Sequence, residues 1–236
     1  MLVIFGAVFA LVIAVEFGIL SILGLVLALA NLHYGSPRKV LAALGGRVIT
    51  DGEYPQLFNI LEGLCIENGL SVPEVRLLDD PGTNALILGK GHGETALVCT
   101  KGLLGNLDRI ALQAVVADEL ASWKQGDLDV ASVIGIALGS FAALSERAAS
   151  LAWHFTDPSR HFRADRAACR MTRYPPGLHA ALETLNAGTT TPRGLSPVVA
   201  RLTAPYWLVP LPLGQRGLPR PGELDLDLRI AAVAEL

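Results

Sequence analysis

Charged side chains are scarce in this 236-residue chain, at 17% against about 25% in ordinary soluble domains. The shortage falls on both signs, with 19 Lys and Arg against 22 Asp and Glu, and the net charge of −3 removes any electrostatic case for nucleic-acid binding. Cysteine is nearly absent. Cys65, Cys99 and Cys169 are odd in number and form no C-x-x-C pair, so buried reduced thiols are expected rather than a disulfide framework or a thiolate metal site. Histidine is limited to His33, His92, His154, His161 and His179, and none forms a four-residue ligand pair on a helix with another. His92 falls in the glycine-rich turn from Gly89 to Gly93 and reads as solvated. His154 stands seven residues before His161 and reads as a surface or membrane-interface residue. No internal repeat is visible.

What the chain has instead is apolar side chains, on 51% of its residues. Met1 to Leu32 carries one charge, Glu16, and a spanning helix needs about 20 apolar residues. No Lys or Arg precedes the run, and it is longer than a signal-peptide core, so a retained membrane anchor over 1–33 is expected. Glu16 inside it is either a polar contact for a membrane-protein partner or a carboxyl reaching the headgroups from a tilted helix. Arg38, Lys39 and Arg47 follow the anchor before any acidic residue, which places the main domain in the cytoplasm.

Gly35-Ser36-Pro37 and Gly45-Gly46 mark a linker over 34–53, after which one domain runs from 54 to 236. Tyr54 to Asn68 has helical periodicity ended by Asn68-Gly69. Three strand-like runs follow: Pro73 to Asp79, Ala85 to Leu88, and Thr95 to Cys99. A largely apolar helix is expected from about Asp108 to Gln125, with Asn106 or Asp108 as cap and Gly126 as terminator. Val130 to Leu144 is a second apolar run. Its 15 or so residues reach about 22 Å, short of a ~30 Å hydrocarbon core, so 130–146 reads as a membrane-dipping helix or a buried soluble one. Gly188 to Pro221, rich in Pro, Gly and Thr, reads as an extended loop.

The central helix carries Ala117-Asp118-Glu119-Leu120-Ala121-Ser122, in which positions 115, 118, 119 and 122 share a face. In H-E-x-x-H metalloproteases two His four residues apart hold zinc, and the Glu polarises the metal-bound water. Here Asp118 and Ser122 stand at the two His positions while Glu119 is kept.

With Asn84-Ala85 before a strand, Ala96-Leu97-Val98-Cys99-Thr100-Lys101-Gly102-Leu103-Leu104, Leu107-Asp108-Arg109, Arg160-His161-Phe162-Arg163-Ala164-Asp165 and Leu228-Arg229-Ile230, the chain resembles the HtpX-like membrane metalloproteases, relatives of the CAAX prenyl proteases. The likeness covers roughly residues 54–236. It implies an α+β, zincin-like (gluzincin) domain with a small mixed sheet and active-site helices behind an N-terminal transmembrane helix. It also implies a peptide-binding edge strand around Asn84, Ala85, Ala96, Leu97, Val98 and Cys99, and a bacterial inner-membrane location. The family's third zinc ligand, a Glu, is replaced by His161, while Phe162, Ala164 and Asp165 are kept.

A serine hydroxyl is a poor ligand for a divalent metal, and Asp is shorter than His. Zinc is therefore expected of the family but not of this chain, and Asp118, Glu119, Ser122, His161 and Asp165 read as a vestigial site. Asp118 and His161 are expected to bond each other, linking their helices in place of metal. The resulting expectation is a pseudoprotease that binds a partner within a membrane complex. The alternative is an active metalloendopeptidase with exchanged ligands, Asp118 and His161, completed by Glu119 or water.

Overall fold

The computed structural model describes residues 37–89, 95–126, 159–212 and 223–236, with Gly18 and Gly24 as isolated helical positions. The chain divides after Ser36, and all that follows concerns the unit from Pro37 to Leu236. The expected anchor with Glu16, the His92 turn and the apolar run 130–146 lie outside the described residues. No helix among the described residues is long and apolar enough to cross a membrane.

Helix α1 (Pro37–Leu44) and the two-residue strand β1 (Arg47–Val48) open the unit. This corrects the linker expected over 34–53. Leu41, Leu44 and Ile49 are buried in the core, and Gly45 and Gly46 supply the positive-φ turn between α1 and β1. Helix α2 (Pro55–Asn68) starts with Pro at its first turn and buries Leu57, Ile60, Leu61, Leu64 and Cys65. Gly69 closes it at φ 65°, and the Leu70 amide returns to the Cys65 carbonyl at 2.9 Å.

Strands β2 (Glu74–Leu78), β3 (Ala85–Gly89) and β4 (Thr95–Thr100) complete a mixed sheet in the order β1-β2-β4-β3. β2 runs parallel to β4, and both remaining pairs are antiparallel. β3 and β4 are buried along their whole length, which accounts for their unbroken apolar sequences. β4 is therefore an interior strand. The edge expected at Ala96 to Cys99 belongs to β3, a placement that depends on strand order and not on local sequence.

Thr100 ends β4 and caps helix α3 (Lys101–Asn106), its hydroxyl accepting from the Leu103 amide at 3.3 Å and donating to the Asn84 carbonyl at 2.9 Å. A Cβ at Gly102 would stand 2.1 Å from the Pro81 carbonyl oxygen, so the β2–β3 turn can approach α3 only at a glycine. Asp108 caps helix α4 (Arg109–Lys124) by accepting from the Ala111 amide at 2.8 Å. Helix α4 packs on β3, α2, α5 (Arg160–Thr172) and α6 (Pro175–Ala187). The segment expected as a loop over 188–221 instead contains α7 (Pro197–Thr203) and a 3₁₀ turn at Ala204–Tyr206. Helix α8 (Glu223–Ala234) packs on α5 and α6.

Candidate functional site

Because α4 is a central helix, its polar face is carried inside. Asp118 and Glu119 are buried, whereas Ser122, one turn on, is half-buried. α5 lies against α4 and brings His161 and Asp165, one turn apart, to the same interior. The five residues read from sequence thus lie on two packed helices.

The link between those helices is not the expected one. Arg229, fully buried on α8, forks onto Asp165 with bonds of 2.9 and 2.8 Å and lies 3.6 Å from Asp118. Its Nη1 donates to the Leu208 carbonyl at 2.7 Å. His161 takes its hydrogen bond from Arg160, whose Nε donates to Nε2 at 3.3 Å. The guanidinium of Arg160 lies 5.5 Å from the centroid of the Tyr206 ring. Arg229 thus does the joining that was assigned to an Asp118–His161 bond. It carried a signal in the sequence: Leu226, Arg229 and Val233 fall three and four residues apart on one buried stripe of α8. A cation on an apolar stripe requires a buried anion.

The charges of this interior nearly balance. With every carboxyl ionised, Asp118, Glu119 and Asp165 would set three negative charges against the two of Arg160 and Arg229. One proton would restore neutrality, and the surroundings of Asp118 favour its neutral form. Burial, then the charge of Asp165, raise its pKa well above the ordinary carboxylate range against the opposing pull of Arg229. Its Oδ1 has no hydrogen-bond partner. His161 is held neutral, because burial and both arginines push its pKa well down.

Glu119 has a structural occupation. Its Oε2 accepts from the Ile87 amide of β3 at 2.7 Å. Burial lifts its pKa to about 7 against the opposing effect of that bond and of both arginines. The same burial, with Glu119 close by, raises the Cys99 thiol to about 12 and leaves it inert.

Glu119 also bears on the edge strand. The outward side of β3 is closed at three points: Ile87 N–H by Glu119, Ala85 C=O by the Leu208 amide at 2.9 Å, and Ala85 N–H by Asn84 Oδ1 at 3.0 Å. Trp207 bridges to Leu86 on the same side. Asn84 itself is a clamp, donating to Thr190 and Val209 carbonyls and accepting from the Val209 amide. Ala96, Leu97, Val98 and Cys99 face β2 and β3 through their backbones, so none of them offers a free edge.

No family model matches the chain. It is similar to a protein named "Protease HtpX homolog" from Dictyoglomus thermophilum, 30% identical over 239 aligned residues that cover 86% of this chain and 77% of the relative. The relative of the same name from Dictyoglomus turgidum is 30% identical over 71% of this chain and 66% of its own length. The one from Tropheryma whipplei strain Twist is 28% identical over 77% and 72%.

Proposed function

The chain belongs to the family of HtpX protease homologues, and from that premise we propose that it is a catalytically degenerate, membrane-anchored member with a zincin-type interior. Its role is that of a binding or accessory subunit in a membrane complex at the bacterial inner membrane, with the main domain cytoplasmic. The observation that carries this reading is that Asp118 and Ser122 stand where the family's metalloproteases have their two zinc histidines, with Arg229 3.6 Å from Asp118. A guanidinium already supplies the positive charge that the acidic groups of the two helices need.

The residues present suit a divalent cation poorly. Asp118 is buried where its ionised form is disfavoured and lies 3.6 Å from a fixed cation, His161 Nε2 is engaged by Arg160, and Ser122 offers a neutral hydroxyl. Among the described residues no three His, Cys, Asp or Glu converge as a metal-holding group. A second positive centre would be repelled by both arginines in a medium of low dielectric. Glu119, bonded to the sheet, is committed to holding β3.

Elemental analysis of protein purified without chelator tests this directly. Less than about 0.1 zinc per chain is expected. One zinc per chain, lost in His161→Ala, would establish the second reading, an active metalloendopeptidase with altered ligands. The unpartnered Asp118 Oδ1 is the observation that favours that alternative. A complementation assay with Glu119→Gln separates the two again, since a pseudoprotease retains function and a peptidase loses it.

A further inference from the structure

On α5, Arg163, Arg166 and Arg170 stand on the face opposite His161 and Asp165, by the 100° turn per residue of a helix. They wall a groove of about 560 Å³ with Lys124 and Gln125 at the end of α4 and Asn68 at the end of α2. Ala121, Ala167 and Met171 give it apolar lining, and among the described residues no carboxylate lines it. Lys124 is tied to the Asn68 carbonyl at 3.2 Å and Arg163 to the Ser159 hydroxyl at 2.7 Å. Arg166 and Arg170 are exposed and make no side-chain ion pair among the described residues. Asp165 adjoins Arg166 in the chain but is buried and bonded to Arg229, and Glu67 adjoins Asn68 without lining the groove.

The groove's position is informative. α4 leaves it at Lys124 and Gln125 and α5 first meets it at Arg163, and between them in the sequence stands the uncharged run Val130 to Leu144, followed by Trp153 and Phe155. On the membrane-dipping reading of that run, on which this proposal rests, basic side chains at its ends with aromatic residues close by mark the headgroup level of a bilayer. Cations around an apolar lining suit an amphiphile better than a bare ion, and basic pockets at this level bind anionic headgroups.

We propose that this groove binds the phosphate headgroup of an anionic phospholipid. Guanidinium forks at Arg166 and Arg170 grip the phosphate oxygens, and the glycerol lies against Ala167 and Met171. The proposal shares with the function proposed above only the membrane location, which resistance of the chain to carbonate extraction tests by itself.

Full-length protein, extracted in detergent and stripped of lipid, is titrated with phosphatidylglycerol or phosphatidylcholine and read by native mass spectrometry. One phosphatidylglycerol per chain is expected, in preference to phosphatidylcholine. Arg166→Gln/Arg170→Gln should weaken its retention by on the order of tenfold or more. Arg173→Gln, an equal loss of charge per residue just beyond the groove, should not. Circular dichroism establishes that the variants are folded. Should the double variant unfold, Lys124→Gln is read in its place, with a loss of several-fold expected. Equal retention of both lipids, or no change in the groove variant that is read, would overturn the proposal. So would displacement of the lipid by millimolar inorganic phosphate, which would mark a simple anion site.

Discussion

At Glu119 two effects oppose each other. Burial disfavours the carboxylate, whereas the Ile87 amide and two arginines favour it, and the balance leaves a pKa of about 7 against an ordinary 4.5. The folded state therefore binds this proton more tightly than the unfolded chain. Its contribution to stability is full below about pH 4.5, falls as the pH rises through 7, and is gone above that. An amide at the same position still accepts from Ile87 and has no proton to lose. Glu119→Gln is thus expected to melt above the wild type at pH 8, by up to about 3 kcal/mol, and close to it at pH 5. Thermal denaturation in detergent at the two pH values measures this, and an equal shift at both would reject the assignment.

Arg229 makes the sharper test. Arg229→Met strands Asp165 in the interior and should cost about 3–5 kcal/mol. Adding Asp165→Asn should return a substantial part of that loss, because the orphaned charge is then gone. Strictly additive losses in this double-mutant cycle would show that the two side chains are not coupled.

Elements repeat the contrast between what is local and what is not. Helix α2, the strands β2, β3 and β4, and helix α4 with its Asp108 cap follow from periodicity and punctuation, and each was legible in the sequence. Helical spacing made Asp118 with Glu119, and His161 with Asp165, legible as shared faces, and the resemblance to the metalloprotease family implied that the two faces meet. Two things were not. The neighbour of a strand is set by tertiary order, so nothing within Ala96 to Cys99 reveals that it lies between β2 and β3. Arg229 is 64 residues from Asp165, and no spacing rule reaches that far. The turn between β2 and β3 offers a further prediction at this scale. Gly102→Ala places a methyl 2.1 Å from the Pro81 carbonyl oxygen, and something must shift. A loss above about 2 kcal/mol is expected in equilibrium unfolding, whereas the open position at Gly105 should accept Ala with little change.

For the molecule as a whole, the proposed accessory role demands a partner. Gentle detergent extraction followed by sizing should find the chain in a particle larger than its own 25.0 kDa plus micelle. Glu16→Leu should release it if the intramembrane carboxyl is the contact. A chain that runs alone, with the variant behaving identically, would remove the support for that role.

The clamp of Asn84 on Val209, 125 residues later, has a consequence in time. A ribosome delivers the chain from its N-terminus, so β3 emerges long before Leu208 can close its outer side, and Asp118 and Asp165 emerge before Arg229. During that interval a nascent chain holds an open strand edge and buried-to-be carboxylates without their cation, the kind of species that aggregates or recruits chaperones. The sheet and the polar interior are completed together, and late, by the same C-terminal segment. A stalled or truncated chain ending before Leu208 would lack both, however well its first helices had formed.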